Sequence, residues 1–591
     1  PRIRVLARRD KFDRFVSVLV FAPRDRYDTA TRLRIGAYLA DYYEGRVSAW
    51  YVTYPEGPLA RVHFIVGGID ATIPDPDQDA FEAAIAAIVR TWSDTLEAEL
   101  AARHDSTRAA LLVERYAGAF SAAYQEAFSP AVAVADIEIA EAEEHRDIFI
   151  DFYRREGSTP QEVALKVYHP KEPTPLSVRV PLLENMGFRV INERTYRIDP
   201  TGDRDTVHLH DMSLVRADGR AIDLDLLDRP LEECFLAVWS AKVENDGYNA
   251  LVLNAGLEWR DIAMLRALSR YLRQVRIPFS QDYMWGTLNR YPAIATRIAR
   301  LFHARLDPAL AEKGRAAAVA RISGEIDKEL EGVASLDDDR ILRRFVNVVT
   351  SALRTDFFQR DEAGDPKESL AIKLDSRRLD GLPLPRPFRE IFVYGPRVEG
   401  VHLRFGPIAR GGLRWSDRAQ DYRTEVLGLV KAQQVKNAVI VPVGAKGGFL
   451  PKQLPAGGGR DAIQAEGIAA YRIFVDSLVE LTDNLTPEGL VPPPDTVRHD
   501  GDDPYLVVAA DKGTATFSDI ANGISEDHHF WLGDAFASGG SAGYDHKKMG
   551  ITARGAWESV KRHFREIDVD IQTTPFTVVG VGDMSGDVFG N

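Results

Sequence analysis

The stretch Lys436–Phe449, KNAVIVPVGAKGGF, places one lysine inside a glycine-rich run directly after a series of apolar residues. The apolar residues predict a strand that Pro442 interrupts, and the glycines predict a bend centred on Lys446. A buried ammonium group is costly, so this position needs a chemical reason. Either the glycines cradle a phosphate, or they clear space for a small substrate to reach Lys446.

The phosphate alternative fails on the residues that follow Lys446. A phosphate-binding loop has the pattern G-x-x-x-x-G-K-[ST], whose Ser or Thr holds Mg²⁺. Here Gly447 follows the lysine, so we reject phosphate transfer. A partly desolvated lysine among other cations is expected to have a lowered pKa, which suits a general base near neutral pH.

Further cations flank this run. A helix predicted over 421–438 ends at Lys436, where a cation also complements the helix dipole. A strand and a turn separate Lys436 from Lys446, which can bring both amines into one cleft at the carboxyl end of the strand. The segment 404–418, RFGPIARGGLRWSDR, sets arginines beside a glycine pair, which indicates a small-anion site. The alternatives are a solvated charged face and a nucleic-acid patch, which the acidic chain and the few aromatic residues disfavour. The arginines are Arg404, Arg410, Arg414 and Arg418.

An acid follows a second apolar run, LVVAAD at 506–511. Open α/β sheets place working side chains at strand ends, so Asp511 facing Lys446 would form an acid and a base in one cleft. The alternative is a capping role for Asp511. The segment 532–555 either lines that cleft or is an ordinary surface loop. It carries Lys547, Lys548 and Arg554, with Thr552 just inside a predicted helix.

The last residues, FTVVGVGDMSGDVFGN at 576–591, predict a strand that enters a glycine-rich turn. Gly580, Gly582 and Ser585-Gly586 follow the spacing G-x-G-x-x-x-G, close to the dinucleotide fingerprint G-x-G-x-x-G. The motif is unfinished at Asn591, and the chain has no initiator Met. We therefore expect the chain to be a piece of a longer protein.

The N-terminal half predicts a different architecture. Apolar periodicity gives the order strand, helix, strand, strand, helix of a ferredoxin-like module, with Asp28 as the N-cap of the first helix. A second, looser copy follows, and a helical region comes after it. In the first module we predict strands at 15–21, 47–54 and 61–66 and a helix at 79–103. In the second we predict a strand at 163–168, a helix at 176–185 and strands at 188–198 and 206–215. The helical region covers 229–358, and 381–387 is predicted to be an extended linker.

Composition narrows the class of protein. The 591 residues carry a net charge of −14, which argues against a nucleic-acid or membrane binder. The single cysteine, Cys234, excludes a disulfide framework and predicts a buried, inert thiol in a cytoplasmic protein. No apolar run reaches the ~18 residues of a membrane span. The His208/His210 and His528/His529 pairs lack further ligands, so no metal site is predicted.

The order of these motifs resembles that of the glutamate dehydrogenase family. The motifs are RGGLR, a helix ending in Lys436, PVGAKGG, an Asp after a strand, TARG and GxG. The segments YDHKKMGITARGAWE and VGVGDMSGDVFGN are similar to those of the large NAD-dependent class, which carries ACT-like N-terminal modules. The resemblance implies NAD as cofactor, and oxidative deamination of L-glutamate to 2-oxoglutarate and ammonium. It also implies an amino-acid effector at the ACT-like modules and a homo-oligomer.

The same resemblance implies a role for each candidate residue. Lys446 matches the catalytic lysine that activates water, and Asp511 the acid that handles protons at the amino nitrogen. Lys436 matches the residue that holds the α-carboxylate. Arg410 stands where smaller members have a lysine that grips the side-chain carboxylate, a change of reach and geometry. The remaining matches are Lys548 for substrate and Thr552, Gly580, Gly582 and Ser585 for cofactor.

The predicted fold class is multidomain α/β and α+β. The predicted ranges are an ACT-like module at 1–130, a second at 131–228, a helical domain at 229–365, the α/β catalytic substrate domain at 366–575 and the first strand of a Rossmann domain at 576–591. Two alternatives to the glutamate reaction stay open. One is a dehydrogenase of another amino acid, and the other is an amino-acid-sensing scaffold that is inactive as an isolated chain.

Overall fold

The computed structural model describes residues 3–12, 14–68, 74–141, 148–170, 172–202, 204–434, 443–510, 515–541 and 549–579. The chain divides into two compact units. The first comprises residues 1–153, 164–175 and 191–213, and the second comprises 154–163, 176–190 and 214–591. No helix within the described ranges is both long and apolar enough to cross a bilayer.

The first module confirms the predicted order of strands and helices and adds an edge strand before it. Its antiparallel sheet has the order β1-β2-β4-β3. Asp28 caps α1 as predicted, because its carboxylate accepts a hydrogen bond from the Thr31 amide at 2.7 Å. The elements are β1 (Arg4–Arg9), β2 (Phe15–Pro23), α1 (Thr29–Tyr42), β3 (Arg46–Thr53), β4 (Leu59–Gly67) and α2 (Gln78–Val89).

The single helix predicted over 79–103 is wrong, since the chain forms two helices there. The second of them, α3 (Trp92–Arg103), begins at its own N-cap, Thr91. Thr91 and Asp94 form a capping box, in which each side chain accepts from the other residue's backbone amide. This reciprocal cap ends one helix and starts the next, and T-x-x-D was readable in the sequence.

Helices α3, α4 (Ser106–Tyr116), α5 (Ala122–Ala127) and α6 (Pro130–Glu141) share a core with the second module's strands. The second module confirms its predicted strands and helix, and Pro181 lies inside α7. Its sheet order is β5-β6-β8-β7. The elements are β5 (Phe149–Tyr153), β6 (Glu162–Pro170), α7 (Leu176–Asn185), β7 (Phe188–Ile198) and β8 (Val207–Arg216).

The region predicted to be helical forms seven α-helices in the second unit. Cys234 lies fully buried in α8, as predicted, and burial raises the pKa of its thiol to about 12. The helices are α8 (Leu224–Trp239), α9 (Leu251–Ala255), α10 (Trp259–Gln274), α11 (Gln281–Arg290), α12 (Pro292–Leu306), α13 (Glu312–Leu330) and α14 (Leu336–Ser351).

An eight-stranded mixed sheet follows, in the order β18-β17-β13-β14-β12-β11-β10-β9. A separate hairpin is formed by β15 (Asn484–Thr486) and β16 (Gly489–Val491). The strands are β9 (Ala352–Thr355), β10 (Leu370–Leu374), β11 (Arg389–Tyr394), β12 (Val398–Arg404), β13 (Ala409–Trp415), β14 (Val443–Pro451), β17 (Val507–Ala510) and β18 (Ala537–Ser538). The helices are α15 (Tyr422–Gln434), α16 (Gly459–Val479), α17 (Ala515–Asp527) and α18 (Ile551–Arg565).

The sheet combines two kinds of pairing. Strands β14, β13, β17 and β18 run parallel, while β9 to β12 and β14 pair antiparallel. The proline-rich segment 381–387, predicted as a linker, joins the neighbouring antiparallel strands β10 and β11 of this sheet. Connecting strands within one sheet, it separates no domains.

The strand predicted to open a Rossmann domain is not seen at 576–579. These residues are irregular, with Val578 and Val579 largely exposed. A strand needs a neighbouring strand for its backbone hydrogen bonds, and no described strand pairs with this segment. The rest of the predicted turn, from Gly580 on, lies outside the described residues.

Candidate active site

The glycine-rich run that was predicted to bend is itself a strand. Residues Val443–Pro451, VGAKGGFLP, form β14, which lies between β12 and β13. The strand predicted before it falls on residues 435–442, outside the described part of the chain. The bend was wrong because glycine's low strand propensity is overridden here by close packing against neighbouring elements.

The glycines of β14 leave room for side chains of α15 and β13 where a Cβ would collide with them. A Cβ on Gly444 would stand 2.6 Å from the Gln433 side chain, and one on Gly448 would stand 2.5 Å from Val426, both on α15. A Cβ on Gly447 would stand 2.5 Å from Leu413 of β13. Real Cβ atoms do not approach so closely, so a larger residue at any of these positions would force the facing side chain to move.

Alternation along β14 assigns its residues to two faces. Gly444 and Gly448 face α15, so Lys446, midway between them, lies on the same face. Phe449 lies on the opposite face, stacked 5.9 Å from Phe474 of α16. Lys446 is partly exposed, and it is opposite Leu403 of β12. The structure thus places this lysine on a sheet face that one helix partly covers.

Arg410 shares that face on the neighbouring parallel strand. It pairs with Gly444, two residues before Lys446. With a rise of ~3.3 Å per residue and strands ~4.8 Å apart, the two Cα atoms are separated by about 8 Å. Arg410 is exposed, and within the described ranges it makes no ion pair. Its guanidinium and the Lys446 amine can therefore address one small anion.

The other arginines of the predicted anion site have different partners. Arg404 is buried and donates to Asp503 at 2.6 Å. Arg414 pairs with Glu425 at 3.0 Å, and Arg418 pairs with Asp421. The run RFGPIARGGLRWSDR is therefore not one anion site.

The sheet register also orients the strand that leads to Asp511. Ala509 of β17 pairs with Gly412 of β13, and the flanking pairs set Gly412 opposite Lys446. Lys446, Gly412 and Ala509 thus form one row across three parallel strands, with about 10 Å between its outer Cα atoms. Asp511 itself lies outside the described residues, two positions after this row.

Most other candidate residues also fall outside the described part of the chain. These are Lys436, Lys547, Lys548, Gly580, Gly582 and Ser585. Thr552 is described; it is exposed in the first turn of α18, which begins after Gly550, so the helix start predicted there is confirmed. In the described ranges, no group of three or more His, Cys, Asp or Glu residues is arranged to hold a metal ion.

Sequence reasoning missed a buried ionic cluster at the edge of this sheet. Lys373 of β10 and Arg404 of β12 both donate to Asp503, at 2.7 and 2.6 Å. Burial opposes the charge on Asp503, but Arg404 and Lys373 outweigh it and hold the pKa of this carboxyl well below its usual range. Arg354 of β9 extends the cluster to Asp483 at 2.8 Å.

His402 of β12 was missed as well. Its ring is fully buried opposite Gly447, and neither ring nitrogen has a hydrogen-bond partner among the described residues. Burial, with Arg404 nearby, lowers its pKa to about 3, so the imidazole stays neutral. The partners in the Asp503 cluster come from distant parts of the chain, so the sequence could signal these buried groups only as isolated polar residues within apolar strands.

The chain matches five family models, all for glutamate dehydrogenases. Residues 325–591 match the catalytic domain of bacterial NAD-glutamate dehydrogenase. Residues 4–93 and 147–227 match the ACT2 and ACT3 domains of glutamate dehydrogenase. Residues 99–142 and 243–308 match its helical motifs 2 and 3.

Curated relatives give the same result. An NAD-specific glutamate dehydrogenase of Pseudomonas aeruginosa is 47% identical over 100% of this chain and 36% of its own length. The protein of that name from Mycobacterium tuberculosis is 45% identical over 99% of this chain and 37% of its own length. The chain spans just over a third of the length of these relatives. Its modules, helical region and catalytic sheet place it in the large NAD-dependent glutamate dehydrogenase family.

Proposed function

We propose that the protein containing this chain oxidatively deaminates L-glutamate with NAD⁺, giving 2-oxoglutarate, ammonium and NADH. The observation that carries the proposal is the arrangement of Arg410 and Lys446 on one face of adjacent parallel strands. The row through Lys446 also reaches β17 just before Asp511. Two cations and an adjoining acid suit a dicarboxylate that must exchange protons. The names of the relatives support both substrate and cofactor.

Lys446 acts as the general base. When the amino carbon has lost hydride to become an iminium carbon, water adds to that carbon and gives its proton to the Lys446 amine. Asp511 moves protons at the substrate nitrogen, which leaves as ammonium. Bound NAD supplies the hydride acceptor, which no side chain can provide.

Binding of the two carboxylates is divided between cations. Arg410 grips the side-chain carboxylate and Lys436 the α-carboxylate, with Lys548 as a further contact. On the cofactor side, Thr552 would contact the nicotinamide, and Gly580, Gly582 and Ser585 would hold the pyrophosphate. The resemblance to glutamate dehydrogenases supports these roles.

The regulatory and cellular parts of the proposal rest on the same family. The matches to two ACT domains support an amino-acid effector at those modules. We also propose that the protein is a homo-oligomer and that it is cytoplasmic. Calorimetry with free amino acids on an Arg410→Met, Lys446→Ala double variant would separate an effector site in the modules from the substrate site.

The test is NADH formation by the full-length enzyme with glutamate and with leucine. We expect a strong preference for glutamate, because a second carboxylate clamp has no partner on leucine. Arg410→Met is expected to raise the KM for glutamate about tenfold or more, the value of a charge-assisted hydrogen bond. Arg418→Met, another arginine of the same run, is the control.

Two results would contradict the proposal. Faster turnover of leucine than of glutamate would assign the site to an apolar amino acid. Absence of NADH formation with every amino acid would favour the sensing scaffold. An unchanged KM in Arg410→Met would remove this residue from the site and leave the reaction itself untouched.

A further inference from the structure

Three fully buried polar side chains from three different elements meet on the Lys446 face of the sheet. Tyr271 of α10 donates its hydroxyl to Glu390 Oε1 at 2.7 Å. Arg423 of α15 donates from Nε to Glu390 Oε2 at 2.8 Å and from Nη2 to Oε1 at 3.1 Å. Each of the three side chains is at most 1% exposed. This Tyr271–Glu390–Arg423 cluster joins the helical region, the sheet and α15.

A buried ion pair of this kind tolerates little displacement. Two charges away from water are stable only while their hydrogen bonds remain well formed, and losing one partner leaves an uncompensated charge. The two-pronged contact of Arg423 with Glu390 also fixes the direction of the guanidinium. The first turn of α15 is therefore tied to β11 in one orientation.

Helix α10 holds the start of α15 at a second point. Gln274 Oε1 accepts from the Arg423 backbone amide at 3.2 Å, and Gln274 Nε2 donates to the Ala419 carbonyl at 3.0 Å. Gln274 is fully buried. It lies three positions after Tyr271 on the same helix, so one side of α10 makes both contacts.

The orientation of α15 bears directly on Lys446. Gln433 and Val426 of α15 lie against Gly444 and Gly448, the two residues that flank Lys446 on this face. Glu390 pairs with Leu403, which pairs with Lys446, so the cluster and the lysine occupy one row of the sheet. Across two strand spacings, their Cα atoms are about 10 Å apart.

We propose that Tyr271, Glu390 and Arg423 are positioning residues that hold α15 against β14 and so set the place of the Lys446 amine. This inference rests on the proposed function of Lys446. Because α10, the helix that anchors α15, belongs to the helical region, that region would help to position the base. A shift of the helix would move the base relative to the attacked carbon, and misplacement of about 1 Å can cost about 100-fold in rate.

The experiment compares two buried tyrosines in the full-length enzyme. Tyr271→Phe removes the hydroxyl that reaches Glu390. Tyr248→Phe is the matched control, because Tyr248 is also fully buried and its hydroxyl also bonds at α10, to Ser269, away from α15. Both variants lose one hydroxyl and keep the ring, so general destabilisation is similar in kind.

We expect Tyr271→Phe to lower kcat about tenfold and to change the KM for glutamate less than twofold. The KM should change little because Arg410 and the other proposed substrate-binding cations are unaffected. Hydrogen exchange of the amides in 422–434 is expected to speed up in Tyr271→Phe and to stay as in the wild type in Tyr248→Phe. Glu390→Gln keeps the shape of the cluster without its charge, and we expect it to change both readouts in the same direction.

The outcomes separate this inference from the proposed function. Equal kcat and equal exchange of 422–434 in the two tyrosine variants would overturn the positioning role. A fall in kcat without faster exchange of 422–434 would overturn it too, since α15 would not have moved. A wild-type enzyme that does not oxidise glutamate would contradict the proposed function, while the exchange comparison would still test whether the cluster holds α15.

Discussion

The first module's sheet and the catalytic sheet are built in opposite ways. Strand β2 of the module buries alternate residues, and its core is an apolar cluster of Val, Ile, Leu, Phe and Tyr side chains. The catalytic sheet is buried on both faces along β10 to β12 and carries charges inside, among them Lys373, Glu390 and Arg404. Its β14 contributes glycines where the module contributes valines.

The difference teaches where the candidate chemistry lies. An apolar sheet needs only approximate complementarity, because hydrophobic burial is not directional. The catalytic sheet depends on specific partners: glycines that let β13, β14 and α15 approach, and buried charges that must stay paired. Lys446 and Arg410 lie in this part of the molecule. Substitutions that are tolerated in the module should therefore be severe in the catalytic sheet.

The largest expected effect is that of Gly411→Ala. A Cβ at this position would stand 1.7 Å from the Ala445 carbonyl oxygen, and neither backbone can yield without opening the β13–β14 pairing. We expect a loss of at least about 3 kcal/mol, or no folded catalytic sheet at all. Soluble yield and thermal melting measure this effect. Gly428→Ala, at an exposed α15 position with open space, is the control.

A wild-type melting temperature in Gly411→Ala would show that the two strands are not in close backbone contact. The pairing of β13 with β14 would then not depend on glycine at position 411.

A smaller effect, specific to pH, is expected for Asp356 beside β9. This aspartate is fully buried, and its Oδ1 accepts from the Ala371 amide at 2.7 Å. Burial, with Glu480 adding to it, raises its pKa from 3.8 to about 7. The folded state thus keeps a proton that the unfolded chain releases between pH 4 and 7. The free energy of unfolding falls as pH rises through that window, by up to about 4 kcal/mol.

Asp356→Asn replaces the titrating carboxyl with a neutral amide, so the free energy of unfolding should depend less on pH. We expect the melting temperature of the variant minus that of the wild type to increase as pH is raised from 5 to 8. The exposed Asp365→Asn controls for the loss of one carboxylate. A difference between Asp356→Asn and wild type that is constant with pH would contradict the assignment.

The smallest effect is expected in the module itself, for Gly36→Ala in α1. A Cβ there would meet Val47 at 3.5 Å and Phe64 at 3.7 Å, which is ordinary contact. Because glycine within a helix costs about 0.5–1 kcal/mol relative to alanine, the change should be neutral or stabilising by up to that amount. Thermal melting checks it. A loss as large as that of Gly411→Ala would erase the contrast between the two sheets.

The sequence predicted what local pattern controls. Apolar patterning gave β2 and β4, the Asp28 cap gave α1, and an apolar run gave β17. It failed for β14, because a strand of glycines is stabilised by residues that arrive from elsewhere, such as Leu413 and Val426. It also missed β1, whose RVLARR carries three arginines and which pairs with β2 at the edge of its sheet.

The candidate site follows the same rule. Its residue types were predictable, since Arg410 and Lys446 stand in glycine-rich runs that mark close approach. Their shared face was not, because it depends on the parallel register of β13 and β14. The cluster around Glu390 was beyond sequence reasoning, because Tyr271 and Arg423 lie 119 and 33 residues away from it along the chain.

The most direct measurement of the central claim is the turnover of glutamate by full-length Lys446→Ala, beside Lys431→Ala. Lys431 is an exposed lysine of α15 and serves as the matched control. We expect the Lys446 variant to fold normally and lose at least about 100-fold in kcat, the contribution of a general base, while the Lys431 variant stays within about twofold of wild type. Equal turnover in the two variants would contradict the assignment of Lys446 as the base.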